Sequence, residues 1–385
     1  MPKLRNTGET PVPRQDVFQP FTPAARSCRY PCVVKYIGSK RTLIPNILEM
    51  VESLDGITSV VDYFSGTSRV GHALKAQGYR VTANDYASYA HCLARCYVQS
   101  DRDTLLHHAD QLVAEFNDLA PEAGYFTKTF CQDARYFKPE NGARIDAIRE
   151  SIASKSLDPD LEAVMLVSLM EAADRVDSTT GVQMAYLKQW APRAHNPLTL
   201  RIPNLLSRPA SGACTATNLE AQDAARQLTA DLAYIDPPYN QHSYLGNYHI
   251  WESLVRWDKP ETYGIANKRI DTRTRKSDFN SKPKSILAMQ NFIDKVRCPY
   301  KLVSFNNEGY LDKSTMESIL APHGNVYTIG HDYKRYVGAQ IGIHNQSGDK
   351  VGKITHLRNT EYLFLVTPHS VQWKGVGTPA AAVVA

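Results

Sequence analysis

The 385-residue chain has no apolar run approaching the roughly 18 residues a bilayer-spanning helix needs, so a membrane-spanning helix is excluded. Its N-terminus lacks the charged, apolar and small-residue order of a secretory signal, and the expectation is a soluble, cytoplasmic protein. Cysteine is sparse and odd in number, seven in all, which makes no disulfide framework and fits reduced thiols in a reducing compartment. Cys28 with Cys32 and Cys92 with Cys96 share an i, i+4 spacing, but neither pair opens with C-x2-C or finds further Cys or His at ligand spacing. Helical burial is the better reading of both pairs, and no metal is expected. No internal repeat or heptad array is present, which sets aside solenoids and coiled coils.

What is present is ordinary globular material, 43% hydrophobic and 22% charged, enough for one large or two medium domains. The net charge of +5 would suit any soluble enzyme. Its distribution says more. Lys268, Arg269, Arg273, Arg275, Lys276, Lys282 and Lys284 stand against only Asp271 and Asp278, so residues 268–284 carry as large an excess as the whole chain. Such a run is either a solvated loop, mobile without a partner, or a set of phosphate contacts, the electrostatic footprint of nucleic-acid binding. Arg273, Arg275 and Lys276 are the candidate contacts.

Along the chain, residues 1–31 hold six prolines and little periodicity, and read as a flexible arm. From Val33 the pattern becomes regular: a helix over 41–51, a buried parallel strand over 57–64, a helix over 68–77 stopped by Gly78, and a strand over 79–83 ending on Asn84 and Asp85. Strand, loop, helix, strand is the unit of a doubly wound sheet. Between about 100 and 214 the strand signals fade into amphipathic stretches such as 161–176, followed by the proline-punctuated run 192–209. Strands resume at 231–235, 301–305, 326–329 and 361–366. The expected organisation is an α/β sheet over 32–100 and 215–370, a mostly helical insert over 101–214, and a disordered tail over 371–385.

The sharpest chemical signal is Asp236-Pro237-Pro238-Tyr239, directly after the apolar strand. Two prolines fix φ near −65° and bar the residue before them from the helical region, so Asp236 is held in a rigid extended turn at a strand's carboxyl end, where open α/β sheets bind ligands. A carboxylate beside carbonyls whose neighbouring amide donors are missing makes an acceptor-only pocket suited to an exocyclic NH2 group, and Tyr239 offers a face for a planar base.

With its context, this turn resembles the DNA adenine N6-methyltransferases of the Dam-like, FokI-type (alpha-class) group. The resembling blocks are Lys35-Tyr36-Ile37-Gly38-Ser39-Lys40, Asp62-Tyr63-Phe64-Ser65-Gly66-Thr67, Asn84-Asp85, Tyr234 through Asn240, Asn247-Tyr248-His249 and Ser304 through Gly309. The stretch from Ala173 through Gly181 to Lys188 is similar as well. The resemblance implies a Rossmann-like sheet that binds S-adenosylmethionine, with the helical insert as target-recognition domain and duplex DNA as partner, with or without a cognate restriction endonuclease. It implies a catalytic turn of Asp236, Pro237, Pro238 and Tyr239 acting on a base rotated out of the duplex. Cofactor contacts are implied at Tyr36 and Lys40 beside the methionine end, Phe64 and Gly66 in the first loop, Asp85 at the ribose, Asp223 near the adenine, and Asp236. Tyr244 joins the expected DNA contacts. Where the family carries arginine and glutamine after the catalytic turn, this chain has His242 and Ser243. N4-cytosine methylation, protein glutamine or RNA methylation, and a non-enzymatic DNA-binding module with a degenerate cofactor fold stand as alternatives. The first more often shows Ser in place of the first Asp, the second Asn, and the third is opposed by the intact Asp236–Tyr239 and Asp85.

Overall fold

The computed structural model describes residues 34–334, 343–344, 350–352 and 358–376. The expected arm over 1–31, with Cys28 and Cys32, and residues 377–385 of the expected tail lie outside the described residues. Seven strands form one sheet: β1 (Ser59–Asp62), β2 (Arg80–Asn84), β3 (Thr215–Thr217), β4 (Leu232–Ile235), β5 (Tyr300–Asn306), β6 (Asn325–Lys334) and β7 (Arg358–Thr367). Their order is β3-β2-β1-β4-β5-β7-β6. The first five run parallel, and β7 lies antiparallel between β5 and β6. Every residue of β1 and β4 is buried, as a parallel sheet covered on both faces requires.

The helices in chain order are α1 (Ile44–Glu52), α2 (Arg69–Ala76), α3 (Ser88–Ala94), α4 (Arg102–Asp118), α5 (Pro139–Ser154), α6 (Pro159–Val176), α7 (Ala221–Gln227), α8 (Tyr244–Asn247), α9 (His249–Arg256), α10 (Ser285–Ile293) and α11 (Lys313–Leu320). Alternation along the strands sends Val60, Leu232, Leu302 and Leu363 to the face covered by α1 and α2, and Val61, Ala233, Val303 and Phe364 to the face covered by α7, α10 and α11. The fold is thus the three-layer α/β architecture expected. Pro45 occupies the first turn of α1, where its missing N–H is harmless, so this helix begins at Ile44 rather than Arg41, and Lys40–Thr42 forms a 3-10 turn instead. β3, only three residues long, was not among the expected strands.

No named strand lies between β2 and β3; the intervening chain is mostly helical up to Val176 and irregular from 177 to 214 apart from a 3-10 turn at Pro192–His195. Asp101 and Asp158 cap α4 and α6 through their carboxylates. These helices do not build a core of their own: Phe116, Ile148 and Leu169 share one apolar cluster with Tyr89 of α3 and with Trp251 and Leu254 of α9. The boundary at residue 100 therefore divides the sequence but not the packing. Cys92 and Cys96 are buried. Residues 371–376, expected as the start of a tail, are held in place instead. Trp373 donates its indole N–H to Ser53 Oγ at 2.9 Å and packs edge-on against Tyr327. Among the described residues no helix is long and apolar enough to cross a membrane, and no cluster of side chains suits a metal ion.

Candidate active site

The carboxyl ends of the parallel strands meet along one edge of the sheet, and each delivers an acidic or polar residue to it. β1 ends in Asp62, β2 leads into Asp85, and β4 leads into Asp236. Because β7 runs the other way, its beginning lies at the same edge and adds Glu361. A cavity of about 420 Å³ opens there, lined among others by Tyr36, Lys40, Asp62, Phe64, Gly66, Asp85, Asp236, Pro238 and Tyr244. These residues lie over more than 200 positions of the sequence, and the fold collects them around one space.

Asp236 faces Lys40, whose ammonium lies 3.0 Å from its Oδ1 and also contacts Glu361. Burial pushes the Asp236 carboxyl up to about 6, with Lys40 pulling it down and Glu361 raising it further. Burial alone would lower the pKa of Lys40, but Asp236 and Glu361 outweigh it and hold the ammonium charged. The sequence assigned Lys40 to the methionine end of a cofactor; the structure places it in the cavity but commits its charge to the two carboxylates. Pro237 is buried, and Tyr239 packs against Phe305 with ring centroids 5.4 Å apart. The turn is fastened from behind. Tyr310 N–H donates to the Tyr239 carbonyl at 2.8 Å, and the Asn280 amide donates to the carbonyls of Asn240 at 2.7 Å and His242 at 3.1 Å. His242 is exposed, and Ser243 caps α8 by accepting from Gly246 N–H.

On the other side, Asp85 accepts from the amides of Gly66 at 2.9 Å and Ala87 at 3.0 Å. Burial lifts its pKa to about 6 against those two hydrogen bonds. Gly66 adopts φ +50°, a conformation that favours glycine. Tyr36 stacks on Tyr244 with centroids 5.2 Å apart and on Tyr248 at 4.4 Å, and its hydroxyl meets that of Tyr89 at 3.0 Å. Phe64 packs against Phe279 and Phe292. Tyr244, expected among the DNA contacts, is thus built into the wall of the cavity.

Sequence reasoning missed Asp62 as a site residue. It is buried at the end of β1, and neither carboxylate oxygen finds a full hydrogen-bond partner among the described residues. Burial, with the charges of Asp236 and Asp85, pushes it up to about 8, and the Gly71 amide offsets this only weakly. Such a carboxyl in the cavity lining stays neutral until a cation pairs with it, so it suits a cationic ligand group. The one available signal was a charged residue closing an otherwise apolar strand. Asp62, Asp85 and the aromatic wall fit a ligand that combines an ammonium, a ribose and a flat base, which is the chemistry of S-adenosylmethionine.

Two expectations need correction. Asp223 does not reach the cavity; it pairs with Arg226 one turn along α7 on the solvent side, and Glu220 lines the cavity instead. The basic run 268–284 is ordered by ion pairs, two of them to carboxylates outside the run, rather than left open. Arg269 is buried between Asp258 and Asp271, Phe279 enters the core, and Arg275 binds Glu252 at 2.7 Å, a carboxylate with no exposure at all. Arg275 is therefore a structural ion pair. Arg273, its guanidinium over the Tyr263 ring at 4.0 Å, and Lys276 at the cavity rim are exposed.

Residues 36–318 match the model of the D12 class N6 adenine-specific DNA methyltransferases. Modification methylase StsI of Streptococcus sanguinis is 31% identical over 74% of this chain and 46% of its own length. Type II methyltransferase M.FokI of Planomicrobium okeanokoites is 31% identical over 76% of this chain and 47% of its own. The matched region thus spans about half the length of these two relatives. Type II methyltransferase M.NlaIII of Neisseria lactamica is 27% identical over 84% of this chain and 98% of its own.

Proposed function

The chain belongs to the D12 class N6 adenine-specific DNA methyltransferase family, and from that premise we propose that it methylates the exocyclic N6 of adenine at a specific site in duplex DNA. The observation that carries the reading is the Asp236–Tyr239 turn, fixed at the sheet edge and ion-paired to Lys40 beside an acidic, aromatic-walled cavity. S-adenosylmethionine supplies, when bound, an electrophilic methyl on a cationic sulfur. Asp62 would hold its ammonium and Asp85 its ribose hydroxyls, with Tyr36 and Phe64 bordering it. The target base leaves the duplex and stacks on Tyr239, which offsets a cost of a few kcal/mol. Its amine is a poor nucleophile because the lone pair is delocalised into the ring. Asp236 Oδ and the Pro237 carbonyl accept the two amino hydrogens and favour the pyramidal nitrogen, whose lone pair is then free. Positioning of this kind supplies most of the acceleration. The proton released from N6 passes to Asp236, whose pKa of about 6 suits both its capture from a cationic amine and its return to water.

The helical stretch 101–214 serves as target-recognition region, and the enzyme works beside a cognate restriction endonuclease or as an orphan. The test is methyl transfer in vitro from labelled cofactor to mixed-sequence duplex DNA, followed by digestion to nucleosides. Label in N6-methyladenine supports the reading. Label in N4-methylcytosine, or none in DNA, overturns it.

A further inference from the structure

Lys40 does not serve Asp236 alone. It sits between two carboxylates and pairs with Glu361 as well. Glu361 is buried on β7, on the sheet face where its strand neighbours at i+2 and i+4, Leu363 and Leu365, enter the apolar core. A carboxylate in that row is costly unless it has a use, since an ionised group taken out of water must be paired and hydrogen-bonded. It is both: Ser304 Oγ on β5 donates to Glu361 Oε1 at 3.1 Å, and Lys40 donates to the same oxygen. The antiparallel run of β7 matters here, because it alone brings the start of this strand to the carboxyl edge of β4 and β5. Three elements distant in sequence, the 3-10 turn at Lys40–Thr42, the turn after β4 and the start of β7, thus converge on one ammonium.

We propose that Glu361 is a positioning residue for methyl transfer: by competing for Lys40 it keeps the ammonium from closing fully onto Asp236 and leaves Asp236 Oδ able to accept the target amine's hydrogens and then its proton. The inference rests on the function proposed above. The charged and titratable groups facing Asp236 are Lys40 on the 3-10 turn, Glu361 on β7, Asp62 on β1, Tyr234 on β4 and Tyr244 on α8, with Tyr239 of the turn facing Lys40. Of these, Glu361 and Lys40 are the two whose charges oppose each other most directly at Asp236. Without the Glu361 charge, Lys40 turns wholly to Asp236. The carboxylate then becomes a weaker base and a less available acceptor, while the cofactor side of the cavity is untouched.

Two readouts test this on the full chain. The first is a titration of the Asp236 carboxyl by carbon-13 NMR in aspartate-labelled protein, assigned by its loss in D236N and read without DNA or cofactor. E361Q is expected to lower that titration by about one pH unit from its position near 6. The second is the pH profile of methyl transfer. E361Q is expected to move the acid limb down by the same amount and to lower kcat about tenfold, with KM for DNA and cofactor within twofold. E361D keeps the charge but withdraws it by one methylene. It moves both readouts in the same direction by less, and it carries the test should the amide at this buried position fail to fold. A titration unchanged in both variants overturns the proposal, as does a fall in kcat with no shift of the limb, which is what loss of packing alone would give. A shifted titration in a protein that transfers no methyl to adenine leaves the coupling standing and overturns the functional reading instead.

Discussion

The carboxyl of Asp62 closes β1 at the cavity wall with both oxygens buried and without a full partner, and burial beside Asp236 and Asp85 lifts its pKa to about 8. Because the fold raises this pKa, the neutral form is the one the fold favours. That contribution is whole below about pH 4 and is lost as pH rises through about 8. Asp62→Asn stays neutral throughout, so without cofactor its stability matches wild type near pH 4 and exceeds it by about 2–5 kcal/mol above pH 8. Urea unfolding across that range checks the sign; an advantage constant with pH contradicts it. The same substitution removes the counter-charge for the cofactor's ammonium, and calorimetry should show affinity for S-adenosylmethionine falling tenfold or more. Asp236 was legible in the sequence because its chemistry is contiguous: two prolines and a tyrosine fix the carboxylate locally whatever surrounds them. Asp62 and Glu361 were not. Each looks like an ordinary strand residue until the partners that define its role, or their absence, arrive from other strands.

Among the elements, the turn that carries Lys40 depends on Gly38. It adopts φ +74°, and a Cβ there would stand 2.8 Å from the Tyr244 hydroxyl. Gly38→Ala thus strains the backbone and pushes Tyr244 off Tyr36, at a cost of about 1–3 kcal/mol. Cofactor binding should weaken by about tenfold while the far helices α5 and α6 keep their hydrogen-exchange protection; an unchanged affinity would show that the Tyr36–Tyr244 stack does not shape the site. Long periodic elements such as α6 and the apolar strands β1 and β4 could be read from the sequence. β3 could not, since three residues carry no period, and it forms only because its backbone pairs with β2. The basic run misled for a related reason. Charge can be counted in a sequence, but the pairing of Arg269 with Asp258 and of Arg275 with Glu252 depends on α9 packing beside the run. Arg275→Ala leaves Glu252 buried and unpaired, and the expected loss is about 3 kcal/mol of stability. A thermal melt unchanged from wild type would return Arg275 to the DNA contacts.

For the molecule as a whole, the ion pairs leave Arg273 and, at the cavity rim, Lys276 as the exposed candidates from that run to meet a DNA backbone. Replacing both by Ala should flatten log K against log salt by about 1–2 units without changing the methylated sequence. An unchanged slope in a salt titration assigns the run to structure alone. The apolar cluster that joins the helical insert to α3 and α9 ties the proposed recognition region to the layer behind the catalytic turn. The most direct test of the account is base-resolved modification mapping of DNA from cells expressing the wild-type chain or Asp236→Ala. The account predicts N6-methyladenine at one short recurring sequence in the first and, because losing this positioning contact costs on the order of 10² or more in rate, nearly none in the second. N6-methyladenine persisting at the same sites with Asp236→Ala, or modified cytosine in place of adenine, would contradict it.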